Sequence, residues 1–241
     1  MRIRNDIIYL FSLLSGGTVM SQELAVANRF PVDGKVERYI EKAGNQALLY
    51  TGELEPQYLN RLEGHPYLDT KEYRTGTLAF DGIIYPGVDM RLNVHIGCLV
   101  VLSPDRRLNL IVPSDRIGFA RFPGYDCFYM APQGEKGALP EGFYVRLHDG
   151  DVSLWKRTEK GLEERREELT LTNFFVERNA YYICKEGLFY PVNSKRELLK
   201  LFKGQDDLLN RYIKEQRLSF SRGERERTLM RIMEYIVRPN I

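Results

Sequence analysis

"GTLAFDGIIYPGVDMRLNVHIGCLVVLSPDRRLNLIVPSDRIGFARF", residues 76–122, alternates short apolar or aromatic runs with closely spaced turn signals. Runs of that length bounded by Gly, Pro and Asp read as strands joined by tight turns. Asp81-Gly82 joins "TLAF" to "IIY" as a hairpin, because glycine supplies the positive backbone angle that such turns demand. In "VDMRLNVHI", Val88, Met90, Leu92, Val94 and Ile96 fall on one face, and Asp89, Arg91, Asn93 and His95 on the other. That alternation predicts a half-buried strand with one wet side. "PDRR" then turns "CLVVLS" back into "LNLIVP".

The rhythm continues toward the C-terminus. "RFPGYDCFYM" leads into a glycine- and proline-rich loop over 131–142, and Asp149-Gly150 turns "FYVRLH" into "DVSLWKR". "TEKGLEERREELT" suits either a short exposed helix or a long polar hairpin, and "TNFFVERNAYYICKEGLFYPV" predicts three more strands. The expectation is a meander of roughly ten short antiparallel strands, strongly curved or barrel-like. Upstream, the sequence predicts a short helix over 35–43, a strand over 46–51 and an irregular stretch over 53–75 broken by Pro56, Gly64 and Pro66.

After residue 193 the hydrophobic period changes. Ser194 with Glu197, and Ser221 with Glu224, have the spacing of capping boxes. Leu198, Leu199, Leu201 and Phe202, then Leu208, Leu209, Tyr212 and Ile213, then Leu229, Ile232, Met233 and Ile236, form apolar stripes of helical period. The fold class expected is therefore α+β: a β-meander sheet followed by C-terminal amphipathic helices packed on it.

The first residues carry Arg2 and Arg4, an apolar run from Ile7 to Leu14, and small residues leading to Val19-Met20-Ser21. This is the order of a secretory signal peptide, with cleavage expected between Ser21 and Gln22. The apolar run is shorter than the roughly 20 residues that span a bilayer. Three segments follow: a signal peptide over 1–21, a β-rich domain over 22–193, and a helical segment over 194–241 on the same domain. Expected location is the periplasm or the outer-membrane surface, with no membrane span after cleavage.

The 35 basic and 33 acidic residues are interspersed, so nucleic acid is not expected as a partner, because phosphate binding needs a concentrated basic face. Cys98, Cys127 and Cys184 lie far apart among large apolar residues and read as buried thiols in strands, although spacing alone does not exclude a bridge between two of them. The histidines, His65, His95 and His148, stand in separate contexts without zinc-ligand spacing, and no nucleophile elbow, phosphate loop or dinucleotide fingerprint occurs. No metal or cofactor is expected.

"GIIYP" at 82–86 is echoed by "GLFYP" at 187–191. Each copy reads as a hairpin whose returning strand ends at proline, which lacks a backbone donor. Tyr85 and Tyr190, with the single tryptophan Trp155, are the candidates for an aromatic and polar surface.

The succession of "LLYTGE", "GTLAFDGIIYPGVDMRLNVHIGCLVVLSPD", "GFYVRLHDGDVSLWKRTEK", "YYICKEGLFYPVNSKRELLKLF" and "LLNRYIKEQRLSF" behind a signal peptide resembles a set of uncharacterised exported β-rich envelope proteins of Bacteroidota. The resemblance covers nearly all of the chain after residue 21 and rests on hairpins and helices, not on catalytic residues. It implies an association with outer-membrane receptor or carbohydrate-uptake systems and carries over no site. The expected function is a non-catalytic binding or assembly component of the envelope, partnered by an envelope protein or a glycan. The alternatives are an envelope hydrolase of glycan or peptide acting through carboxylates, and a small-lipid carrier with an apolar cavity.

Overall fold

The computed structural model describes residues 38–39, 42–44, 47–58, 62–133, 139–167 and 170–237. The expected signal peptide with its Ser21–Gln22 cut, most of the predicted 35–43 helix and the tip of the 131–142 loop lie outside them. Described strands are β1 (Glu53–Leu54), β2 (Leu62–Glu63), β3 (Arg74–Phe80), β4 (Ile83–Asn93), β5 (Cys98–Leu102) and β6 (Asn109–Val112). They continue with β7 (Ile117–Phe122), β8 (Tyr125–Met130), β9 (Gly142–His148), β10 (Val152–Glu167), β11 (Thr170–Lys185) and β12 (Leu188–Pro191). Three helices follow: α1 (Lys195–Leu201), α2 (Asp206–Glu215) and α3 (Arg225–Val237).

All twelve strands belong to one sheet with the order β1-β6-β5-β4-β3-β7-β8-β9-β10-β11-β12, and β2 pairs on β11. Neighbours are antiparallel except the parallel β2–β11 contact. The antiparallel hairpins are as expected, but they form two meanders running outward from a β3–β7 seam instead of a single one, because β7 pairs with β3 and not with β6. The sheet is open, yet strongly curved: Lys160 of β10 donates its backbone N–H to Val94 O at 3.2 Å, although four strands separate β10 from β4.

Local chemistry explains the turns. Asp81 and Gly82, with φ of 51° and 72°, form the two-residue turn between β3 and β4. Pro86 does not end β4. Between the Gly76↔Val88 and Leu78↔Tyr85 pairs the register shifts, with Pro86 and Gly87 opposite one residue, and Gly87 takes φ 68°. This is a β-bulge. Pairing with β5 begins only at Met90, so the missing N–H of Pro86 leaves no ladder bond broken. Pro191 sits in β12, which ends the strand order.

One core cluster lies along β3–β9 and includes Leu78, Phe80, Tyr85, Val88, Met90 and Leu99. A second joins Leu154, Tyr181 and Ile183 to Leu198, Leu209, Leu229, Ile232 and Met233 of the helices. Burying each of these aliphatic side chains contributes about 2 kcal/mol, so the helical stripes are satisfied within the chain. Ser194 caps α1 by accepting from Glu197 N, while Glu197 reaches back to Asn193 N. The second predicted box differs: α3 begins at Arg225, and the backbone O of Ser221 accepts from Glu224 N and Arg225 N.

Other readings are corrected by longer-range packing. Residues 48–50 form a 3-10 turn, with Leu49 buried, instead of a strand. Of the two alternatives for "TEKGLEERREELT" the long hairpin is found, since residues 158–167 continue β10 and Thr170 opens β11; the 16-residue β11 absorbs two of the three strands predicted over 172–192. Ile96 leaves the apolar face of β4 and is exposed in the turn before β5. Cys98, Cys127 and Cys184 lie in β5, β8 and β11 as free thiols, and burial raises the pKa of each, that of Cys98 to about 12.

Candidate functional site

The polar side of β4 is wet at Asp89 but covered at Arg91 and Asn93. Residues 53–58 and 62–73 cross it as a strap, tied at one end by β1 to β6 and at the other by backbone bonds from Leu68 N to Leu92 O and from Val94 N to Pro66 O. The strap brings Glu55 onto Arg91 and Asn93. Arg91 Nη2 donates to Glu55 Oε2 at 2.6 Å, and Asn93 Nδ2 donates to Glu55 Oε1 at 2.8 Å and to Tyr58 OH at 2.9 Å. The Glu55 side chain is 2% exposed and that of Arg91 13%.

The guanidinium of Arg91 is also sandwiched: its carbon lies 3.8 Å from the Tyr67 ring centre and 4.3 Å from that of Tyr73. Stacking between two aromatic faces adds cation–π attraction to the ion pair and fixes the plane of the fork. Arg91 Nη1 donates to Lys71 O, while Arg91 Nε and Tyr73 OH are buried without a hydrogen-bond partner among the described residues. Burial, with Glu55 beside it, raises the Tyr67 phenol, and burial pushes Tyr73 up to about 12. Both therefore stay neutral across the physiological range.

The β4–β5 turn extends the network. Asn93 Oδ1 accepts from His95 N and Ile96 N, which fixes the turn. His95 Nδ1 lies 2.8 Å from Lys160 O, and since a carbonyl only accepts, Nδ1 carries the proton. Lys160 Nζ donates to Tyr67 O at 2.6 Å, and burial lowers its pKa. Strap, turn and β10 are thus bound by one set of polar contacts, with the rings of Tyr58, His95 and Phe175 meeting edge to face.

Between strap and sheet opens a cleft of 690 Å³. Tyr58, His65, Tyr67 and Phe175 give it aromatic walls, and Gln57, Asn109, Arg91 and Glu72 give it hydrogen-bonding groups. That volume suits a small polar ligand. The carboxylate of Glu55, the buried acid of this site, is occupied on both oxygens by Arg91 and Asn93. The arrangement offers hydrogen bonds and ring faces, and Glu72 is the other acid that lines it.

The three surface candidates are not brought together. Tyr85 is 0% exposed and packs beside Phe80 in the main core. Trp155 is 1% exposed, with Nε1 donating to Ser153 Oγ, and meets Phe128 and Phe189 edge to face. Across the same sheet face runs a row of cross-strand neighbours, Arg121, Asp126 and Arg146, and the Arg146 guanidinium lies over the Phe128 and Trp155 rings. The expected aromatic face is therefore packed under charged side chains. Tyr190 alone is exposed, at 37%, on β12.

Sequence reasoning missed Glu55, Tyr58, Arg91 and Asn93. The available signal was that arginine and asparagine alternate with fully apolar residues in an inner strand, where buried polar groups must find partners. Among the described residues no group of three His, Cys, Asp or Glu side chains is placed to hold a metal ion. No described helix is long and apolar enough to cross a membrane. No protein family, curated protein or solved structure matches the chain, so the site rests on its own geometry.

Proposed function

We propose that the chain is an exported protein of the bacterial envelope that acts as a non-catalytic binding component, holding a glycan in the cleft between strap and sheet. The observation that carries this reading is the composition of the cleft wall, where Tyr58, Tyr67 and Phe175 stand beside Gln57, Asn109 and Arg91. A sugar ring has an apolar C–H face that stacks on aromatic rings and a hydroxyl rim that needs planar donors and acceptors. The engagement of Glu55 with Arg91 and Asn93 supports binding without hydrolysis, because glycosidases work with two carboxyl groups flanking the scissile bond. The polar walls favour a sugar over a lipid chain. The basic, apolar and small-residue order of residues 1–21 supports export, and the resemblance to Bacteroidota envelope proteins supports a role accessory to an outer-membrane uptake or receptor system.

A glycan array probed with the purified protein tests the proposal. Binding to at least one oligosaccharide class is expected, weakened about tenfold or more in the Gln57→Ala/Asn109→Ala double variant through lost hydrogen bonds. An array without binding, or binding unaffected by the double variant, would overturn it.

A further inference from the structure

A second groove, of 520 Å³, lies between the β11–β12 turn, β12 and α1, remote in sequence from the strap. Tyr190, Pro191 and Leu201 give it an apolar lining, and Lys185, Lys200 and Lys203 stand around it. None of these three lysines makes a salt bridge among the described residues. Most other cations around the sheet are neutralised, as Arg91, Arg106, Arg121, Arg146 and Lys156 are by carboxylates. Two acids also line the groove, Glu186 in the turn and Glu197, whose Oε2 accepts from Asn193 N at 2.7 Å, so three ammonium groups stand against two carboxylates.

An excess of positive charge without salt-bridge partners, beside the exposed Tyr190 and the half-buried Leu201, invites an occupant with the complementary pattern. β12 adds a directional element. It ends the strand order, so one of its edges has no strand partner among the described residues, and its exposed residues Leu188 and Tyr190 alternate along one face. Such an edge accepts an extended chain by strand addition.

We propose that this groove docks an extended acidic peptide segment of a partner protein. One aromatic or aliphatic side chain of the segment rests on Tyr190 and Leu201, and its carboxylates meet Lys185, Lys200 and Lys203. A concave groove bordered by a free strand edge fits a peptide better than a flat anionic lipid surface.

The test is to pan a random-peptide display library against the immobilised full chain and against its Lys200→Glu/Lys203→Glu variant. Circular dichroism and thermal melting confirm that the variant is folded. Enrichment of sequences combining aspartate or glutamate with an aromatic or aliphatic residue is expected. Retention of those peptides should fall about tenfold or more on the variant and should weaken with salt. Enrichment without acidic bias, equal retention by both proteins, or binding to phosphatidylglycerol vesicles with no acidic peptide selected would overturn the proposal. The glycan cleft and this groove share no lining residue, so the two readings fail independently.

Discussion

Glu55 shows how one side chain can decide what a segment does. Its carboxylate is nearly out of reach of water, yet both oxygens accept charge-assisted or amide hydrogen bonds. Removing one partner of such a pair leaves the other charge buried and uncompensated, so Glu55→Ala should lower the unfolding free energy by about 3 kcal/mol or more in urea titrations. Arg91→Lys should also destabilise, because an ammonium neither forks onto the carboxylate nor stacks flat between two tyrosines. A loss within experimental error for both variants would show that the clamp contributes nothing. Trp155 gives a second expectation at this scale. As the single tryptophan, buried against Phe128 and under Arg146, it should emit at short wavelength and resist iodide quenching in the folded state. Efficient quenching would place it back on the surface. Neither Glu55 nor the burial of Trp155 was legible in the sequence: Glu55 meets Arg91 across 36 residues, from a stretch without periodicity. The charged row over Trp155 comes from three different strands.

Hairpins were the legible elements. The Asp81-Gly82 turn, the Asp149-Gly150 turn and the alternation of Val88, Met90 and Leu92 each rest on neighbours in sequence, and each survives in the fold. The strap was not legible, because it has almost no secondary structure of its own and is held by contacts to β4, β6 and β10. Glycine shows where such elements come too close for a side chain. A Cβ on Gly52 would lie 1.9 Å from Ile111 O, and one on Gly76 2.2 Å from Arg121 O. Both contacts are with backbone, so Gly52→Ala and Gly76→Ala should lower the melting temperature far more than Gly223→Ala, whose Cβ meets nothing within 4 Å. Equal melting temperatures would contradict the close packing of β1 on β6 and of β3 on β7. At the start of α1, Ser194→Ala should cost about 1 kcal/mol through loss of the cap to Glu197 N.

At the scale of the whole molecule, many tyrosines are packed within the sheet and strap. Burial is the leading cause that raises Tyr50, Tyr58, Tyr67, Tyr73, Tyr125, Tyr144 and Tyr181 above the ordinary value of 10.0, Tyr73 to about 12. Folded phenols therefore hold protons that unfolded ones release. Their contribution is complete below pH 10 and is lost as pH rises through about 12, so stability should fall steeply over that window. Lys160, lowered by burial, acts in the opposite sense, but as a single group. Urea titrations at stepped alkaline pH, read beside tyrosinate absorbance, check this; unfolding free energies flat through pH 11 would contradict the burial of the phenols.

The fold as a whole was readable, since a meander and amphipathic helices announce themselves by local period. The cleft was not, since it arises where the strap lies against Arg91 of β4, Asn109 of β6 and Phe175 of β11, residues far apart in sequence. Hydrogen–deuterium exchange of the protein with and without the oligosaccharide that binds it most tightly on the array addresses the cleft most directly. Slowed exchange over the strap, residues 55–58 and 62–73, and over 91–95 is the expected result. Protection confined to β12 and α1, or no protection at all, would contradict the assignment of the cleft as the ligand site.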